Sequence, residues 1–461
     1  MTGDLLRSHS PQDPGDLIGE YAVTPAGAVA DQVGTARIAQ RTWWSWGAAR
    51  RSAALAAAAG ALGARADEAA ALVVREVGKP IAEARGEVAR AVAILSYYAQ
   101  EAFGPVGSQL PPSLTGLLYV ERRPHGVAGL ITPWNFPLAI PLWKAAPALV
   151  AGNGVVLKPS PDSVACAHLL LEVLGPHLPD GLLALAVGGA DVGQAVVDSA
   201  DVVSFTGSVA VGRGVVTAAA GRGIPVQCEM GGQNAAIVLE DADASATAAL
   251  VASAAMGFAG QKCTATRRVI VVGDHPEFVN ALSAAVRAQV PADPGDPATA
   301  VGPLINERAY AAMRAANALA RESGGDILAG GGAPERSGWF VEPTLVDGLD
   351  PAHPLCTEET FGPLAVVQHV PDLASAVDLA NGVRYGLVTS VHGQDLDAVL
   401  HAVAGLDTGL IKVNAPTTGV DFYAPFGGEK DSSFGPREQG RAGPEFYSST
   451  RTVTIAPHRP G

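Results

Sequence analysis

The 461-residue sequence predicts an α/β protein built on parallel sheets and divided into more than one domain. Three observations lead there. From Gly126 onward, short apolar strands alternate with helical stretches, the pattern of βαβ units. The alternation restarts near Asn234, which gives two such regions. A chain of this length also exceeds one ordinary hydrophobic core.

In chain order, residues 26–103 read as helices, Ala-rich with charges at helical spacing. In Glu83-Ala84-Arg85-Gly86-Glu87-Val88-Ala89-Arg90, Glu83 and Glu87 are four apart and Glu87 and Arg90 three apart, so they share a face. Residues 104–116, rich in Gly, Pro and Ser, break the helical run, and 117–123 is strand-like. The first alternating region predicts strands at 127–131, 154–157, 183–187, 202–205 and 226–229, with a helix at 163–174. The second predicts strands at 236–239, 268–272, 364–369, 388–392 and 410–413, separated by helices such as 276–289 and 307–322. A last strand at 451–455 lies far from its own region, which suits pairing with another element or subunit.

Composition narrows the function classes. Hydrophobic residues at 48% and charged residues at 16% describe a folded chain rather than a disordered one. A net charge of −14 argues against a nucleic-acid partner. Two uncharged runs, 124–143 and 244–261, are long enough to test as membrane spans. Prolines break the first, and Ala, Ser and Gly dilute the second, so neither is expected to span. The opening Met1-Thr2-Gly3-Asp4 lacks a basic stretch followed by an apolar one; no leader and a cytoplasmic location are expected. Four dispersed cysteines without a CxxC pair argue against a metal site or a redox dithiol. Cys166 sits in an apolar helical run, Cys228 on a strand and Cys356 in an expected loop. Only Cys263 has the small, polar neighbours of an exposed thiol.

That thiol, in Gly260-Gln261-Lys262-Cys263-Thr264-Ala265-Thr266, stands 34 residues after the carboxylate of Glu229-Met230-Gly231-Gly232. A nucleophile and a general base are the pair needed to form and then hydrolyse a thioester. Thr132-Pro133-Trp134-Asn135-Phe136-Pro137 follows a strand end, where open α/β sheets place their ligand crevice. Asn135 is there either as an amide donor to a developing oxyanion or as a turn residue satisfying its own backbone. Lys158, in Lys158-Pro159-Ser160, reads as a ribose or phosphate ligand or as a solvated surface lysine. Phe205-Thr206-Gly207-Ser208 gives a strand, a glycine turn and a helix start able to receive a pyrophosphate, although G-x-G-x-x-G is absent. Glu358-Glu359-Thr360-Phe361-Gly362-Pro363 offers a carboxylate for ribose hydroxyls and a ring for a nicotinamide, or is an exposed acidic loop. Pro425-Phe426-Gly427-Gly428 lets backbone approach a ligand closely, and Glu438 is either a proton-relaying carboxylate or a loop residue.

Taken in order, these segments resemble the NAD(P)-dependent aldehyde dehydrogenase superfamily. Seven motifs, beginning at Thr132, Lys158, Phe205, Glu229, Gly260, Glu359 and Pro425, carry a resemblance that runs from about Asp16 to the C-terminus. It implies an aldehyde dehydrogenase-like α/β fold: two Rossmann-type parallel-sheet domains plus a small oligomerisation β-flap. The expected divisions are 1–105 with 125–231 for cofactor binding, 232–447 for catalysis, and 106–124 with 448–461 for oligomerisation. The resemblance implies Cys263 as nucleophile, Glu229 as base, Asn135 with the Cys263 N–H as oxyanion donors, and Glu438 behind the base. Lys158 and Glu359 would hold the adenosine and nicotinamide riboses, with Trp134, Ser160, Gly207, Ser208 and Phe361 as further cofactor contacts. Phe136, Ile140, Trp143 and Phe426 would line the aldehyde tunnel. The N-terminus looks one opening strand short of the family pattern. A homodimer or homotetramer is implied, joined through 117–123 and 451–455.

A free thiol titrates near about 8.5, so the surroundings of Cys263 are expected to activate it. Lys262 is not credited, because sequence neighbours need not face each other. Relatives that transfer to coenzyme A usually lack a glutamate at position 229, so the resemblance implies hydrolysis to the free acid. Three residues after Lys158 stands Pro161, where NAD-preferring relatives often carry Glu; less repulsion of a 2′-phosphate then follows, and NADP is expected to be accepted alongside NAD. Segments 412–421 and 432–440, with Cys263-Thr264-Ala265-Thr266, look like the α-ketoglutaric semialdehyde (2,5-dioxopentanoate) dehydrogenase subgroup, while Lys430 and Asp431 depart from it. Arg267 is the expected anchor for an acidic aldehyde. Succinate semialdehyde and aliphatic or aromatic aldehydes are the alternatives, and a catalytically silent structural relative is the reading in another class.

Overall fold

The computed structural model describes residues 4–104, 106–113 and 115–457. Met1–Gly3, on which the leader expectation rests, and the last four residues of the expected oligomerisation segment lie outside the described residues.

The first sheet fixes where a ligand can sit. Its parallel strands are Val127–Ile131, Gly154–Lys158, Leu183–Leu185, Val202–Thr206 and Val226–Glu229. In space the earliest strand lies in the middle: 226–229, 202–206, 127–131, 154–158, 183–185, with Ser433–Phe434 added antiparallel beside 226–229. Every residue of Val127–Ile131 and Gly154–Lys158 is buried, as parallel strands covered on both faces must be. The strand order reverses between 127–131 and 202–206. The turns leaving those two strands therefore part and open a crevice at their carboxyl ends.

Four helices precede the sheet: Ala26–Ser45, Gly47–Ala64, Ala66–Val77 and Ile81–Glu101. The last packs along Ala139–Val150 in the main core. Glu87, buried on that helix, accepts from the Leu138 and Ala139 N–H groups at 2.9 and 3.1 Å and so caps its neighbour. Its charge is balanced by the fully buried ammonium of Lys79.

A second, seven-stranded sheet runs in the order Asp326–Ala329, Thr344–Asp347, Leu364–Val370, Arg268–Val272, Ala235–Val238, Val388–His392, Leu410–Val413. Only the outermost pair, 326–329 with 344–347, is antiparallel. The last parallel strand of the first sheet and the earliest strand of the second are joined by Met230–Asn234 alone, so Glu229 stands at the seam. A three-stranded flap pairs Ser448–Ile455 with Leu117–Pro124 and the latter with Gly107–Leu110, all antiparallel.

Periodicity missed several short elements, the strand Gly107–Leu110 inside the expected break at 104–116 among them. The chain opens with an antiparallel hairpin, Leu5–Ser10 with Asp13–Ala22, whose strands carry too few apolar residues to show a pattern. Asp326–Ala329 and Thr344–Asp347 are four-residue strands, too short for one. Cys356, expected in a loop, is buried in the one-turn helix Pro354–Thr357. Cys166 and Cys228 are buried as expected, and all four cysteines are free thiols. Among the described residues no helix is long and apolar enough to cross a membrane.

Candidate active site

Cys263 is held by its backbone. After the helix Ala244–Met256 the chain turns through Phe258, Ala259 and Gly260 at φ of 54°, 50° and 65°. Two non-glycine residues in the left-handed region store about 1–3 kcal/mol of strain each, which the surroundings must hold in place. Gln261 does part of this, donating to the Pro303 carbonyl at 3.1 Å and accepting from the Ile305 N–H at 2.9 Å. The Asn135 amide donates to the Gln261 carbonyl at 3.0 Å. Asn234 donates to the carbonyls of Cys263 and Ala265 at 2.7 and 2.8 Å. Sequence reasoning overlooked Gln261 and Asn234 as supports; the available signal was a polar amide within two residues of a motif glycine.

Glu229 ends the strand Val226–Glu229 and accepts from the Ser433 hydroxyl at 2.5 Å. Backbone closes over it: at Gly427, φ 154°, a Cβ would lie 2.8 Å from its Oε1. Burial, then the nearby charge of Glu438, pushes the Glu229 carboxyl well above its ordinary value, against the Ser433 hydrogen bond. Glu438 itself is fixed by hydrogen bonds from Trp143 Nε1 at 2.8 Å and Ser204 Oγ at 3.1 Å, and by an ion pair with buried Lys144. Neither Lys144 nor Ser204 was singled out from the sequence.

The thiol departs from expectation. Burial first, then the charges of Glu359 and Glu229, pushes Cys263 up to about 12. The chain's own side chains thus suppress the thiolate rather than favour it. Lys262 gives no help, since its ammonium pairs with Glu83 at 2.7 Å.

Cys263 lies on the wall of a cavity of about 270 Å³, together with Phe136, Trp143 and Phe426. The Trp143 and Phe426 rings lie 5.9 Å apart. Two expected wall residues are elsewhere. Ile140, 1% exposed, is packed into the main core. Arg267, also 1% exposed, donates to the carbonyls of Gly260 and Gly362 and ties the cysteine turn to the Phe361 turn. A guanidinium so engaged does not reach the cavity. The rest of the wall includes the helix Ile81–Glu101, which sequence reasoning had not assigned to the site, and residues 418–420, part of the segment 412–421 already tied to the substrate.

On the other side, the expected cofactor residues gather at the carboxyl ends of the first sheet. Trp134 follows strand 127–131, Lys158 ends strand 154–158, and Gly207 and Ser208 follow strand 202–206 at the start of the helix Val209–Arg222. The hydroxyls of Thr132 and Thr206, beside the two strands where the order reverses, are buried without a partner. Lys158 is 7% exposed, and burial lowers its pKa against the charges of Asp162 and Asp191. The Ser160 hydroxyl accepts from the Asp162 N–H at 3.3 Å. Glu359 accepts from the Gly232 N–H at 3.1 Å, and burial pushes it up to about 7. A Cβ on Gly231 would fall 2.1 Å from its Oε2, so only glycine permits that approach. Phe361, at φ 49°, sets its ring edge-on to Trp134, with centroids 5.8 Å apart. Orphaned hydroxyls, a helix N-terminus and a buried lysine around a switch-point crevice fit a dinucleotide. Among the described residues no cluster of metal-ligating side chains occurs.

A family model described as "Aldehyde dehydrogenase family" matches residues 2–453. The chain is 36% identical to the alpha-ketoglutaric semialdehyde dehydrogenase of Bacillus subtilis (strain 168), over 99% of this chain and 96% of that protein. Among solved structures it is similar to PnpE from Pseudomonas sp. WBC-3, with a TM-score of 0.94 at 33% identity, covering 99% of this chain and 96% of that one. A PnpE structure in complex with nicotinamide adenine dinucleotide matches with a TM-score of 0.95 at 33% identity, covering 98% and 94% of the two chains. A 3,6-anhydro-L-galactose dehydrogenase in complex with NAP matches with a TM-score of 0.95 at 29% identity, covering 99% and 97%. With this fold, and a site that places a thiol and a buried carboxylate between a dinucleotide crevice and a cavity, the chain belongs to the aldehyde dehydrogenase family and is an NAD(P)-dependent aldehyde dehydrogenase.

Proposed function

We propose that this chain oxidises a semialdehyde bearing a carboxylate, 2,5-dioxopentanoate foremost, to the free acid. One observation carries the reaction type: Cys263 lines the cavity close enough to Glu229 for the carboxylate's charge to act on the thiol. The substrate class is supported by the 36% identity to the Bacillus subtilis enzyme.

In this reading Cys263 Sγ attacks the aldehyde carbon and forms a thiohemiacetal. The thiol proton is given up to water in the cavity, and Glu229, whose carboxyl burial holds above its ordinary value, is kept as the base of the second half. The developing oxyanion is received by the Cys263 N–H and by the Asn135 N–H that the Gln261 carbonyl leaves free. A bound nicotinamide would supply the hydride acceptor for this step and the positive charge that the chain itself does not bring to the thiol. Glu229 next deprotonates the water that attacks the thioester, while the Ser433 hydroxyl keeps its carboxylate oriented. Glu438, held behind by Lys144, Trp143 and Ser204, passes the proton away.

Lys158 and Ser160 would hold the adenosine ribose and Glu359 the nicotinamide ribose, with Trp134, Gly207, Ser208 and Phe361 around the rest. Pro161 leaves room for a 2′-phosphate, whereas Asp162 and Asp191 act against one, so both NAD and NADP serve. The flap at 107–124 and 448–455 joins subunits into a dimer or tetramer, since its edge strand Gly107–Leu110 is exposed along its whole length and needs cover. Four free cysteines fit a cytoplasmic location.

The aromatic wall of Phe136, Trp143 and Phe426 favours a second reading, oxidation of uncharged aliphatic or aromatic aldehydes. A steady-state panel of semialdehydes against simple aldehydes, with both cofactors, separates the two. The first reading expects the highest kcat/KM on 2,5-dioxopentanoate. A maximum on an uncharged aldehyde would reject it in favour of the second.

A further inference from the structure

The cavity that holds Cys263 also holds one face of the helix Ile81–Glu101. Glu83, Gly86, Glu87 and Arg90 line it, at the i, i+3, i+4, i+7 spacing of a single helical stripe. A Cβ added at Gly86 would meet nothing within 4 Å, so at this position the stripe faces open space.

The charges on the stripe are unequal in what they do. Glu83 is paired with Lys262 at 2.7 Å. Glu87 is buried, paired with Lys79 and occupied as the cap of the next helix. Arg90 is half-buried and, among the described residues, its side chain has no hydrogen bond or ion pair. It feels Asp421 and Glu87 only through space, and Asp421 is an exposed residue just beyond the loop at 418–420. Lys262, the other cation on the wall, is already neutralised. The cavity thus contains a thiol, three aromatic rings and one guanidinium without a counter-charge. Burial lowers the pKa of Arg90, the cost of holding a cation there without a partner.

We propose that Arg90 is the specificity residue of this site, binding the terminal carboxylate of an acidic aldehyde whose carbonyl carbon lies at Cys263. The planar guanidinium offers a carboxylate two parallel N–H donors, a geometry that lysine lacks. The apolar stretch between anchor and thiol is supplied by Phe136, Trp143 and Phe426. Arg90 takes the part that the sequence assigned to Arg267, whose donors are used on backbone. The proposal rests on the semialdehyde reading above and gives it a residue.

The test is the ratio of kcat/KM on an acidic semialdehyde to kcat/KM on the uncharged aldehyde of the same chain length. It is measured in the full-length parent, Arg90→Gln and Arg90→Lys, and turnover of the uncharged aldehyde reports which preparations are folded. The parent is expected to favour the acidic aldehyde. Arg90→Gln should lower the ratio about 10- to 100-fold, mostly through KM, the worth of a charge-assisted hydrogen bond. Arg90→Lys should lower it less, since the charge stays and only the fork is lost. If the parent favours the acidic aldehyde and both variants keep its ratio, Arg90 is not the anchor, although the semialdehyde reading stands. If the parent itself favours the uncharged aldehyde, both the reading and the anchor fail.

Discussion

The two sides of Cys263 are built from different materials. On the cofactor side the proposed contacts stand at the ends of parallel strands and on the turns that leave them: Trp134, Lys158, Gly207 and Ser208. Their positions follow from the sheet order, which opens a crevice where it reverses. On the aldehyde side the wall is a helix stripe, aromatic rings and the loop at 418–420. Nothing in the sheet fixes which side chains stand there, so that wall can change while the crevice stays. The common chemistry therefore sits on the rigid frame, and the choice of substrate on the side chains facing it.

The largest effect expected is at the boundary between the two sides. Cys263→Ala should lower NAD(P)H formation about ten-thousandfold or more with every aldehyde, because no other thiol on the cavity wall replaces it. Glu229→Gln should separate the two halves of the reaction. A burst of NAD(P)H is expected on mixing, followed by steady turnover reduced about 100- to 10,000-fold, as thioester hydrolysis loses its base. Loss of the burst together with turnover would place Glu229 in the first half instead.

Two smaller effects sharpen the contrast. Lys158→Ala should raise KM for the cofactor about tenfold while leaving the ranking of aldehydes as it was, because Lys158 lies on the crevice side. A changed aldehyde ranking would show that the sides are not independent. Alkylation of Cys263 in cofactor-free protein should be slow at neutral pH and rise only in the alkaline range. The sign follows from the thiol: pushed up to about 12, it holds less thiolate at a given pH than free cysteine. Added NAD(P)+ should speed the reaction, and a pH profile matching free cysteine would contradict the buried carboxylate environment.

The same division explains what the sequence disclosed. Strands such as 127–131 and 268–272 are short, buried and mostly apolar runs, and their boundaries were legible from periodicity alone. The residues at the strand ends were legible through their motifs, which reappear at the crevice in the order expected. The wall was not. Arg90 was visible as part of a charged helical face, but nothing in a helix pattern says what the face looks upon. Arg267 stands only four residues after Cys263 (267 − 263), yet its side chain turns to the Gly260 and Gly362 carbonyls. Side-chain direction outside a regular element has no sequence period. The thiol's electrostatics were hidden for a related reason, because Glu359 reaches it only through the fold, 96 residues further along the chain (359 − 263).

The central claim is that the aldehyde carbon becomes bonded to Cys263 and is released by Glu229. Its most direct test is mass spectrometry of Glu229→Gln quenched during turnover with 2,5-dioxopentanoate and NAD(P)+. The account predicts a thioester of the product acid on the peptide carrying Cys263, absent in the Cys263→Ala, Glu229→Gln double variant. An unmodified Cys263 peptide alongside NAD(P)H formed in the burst, or an acyl group on another residue, would contradict it.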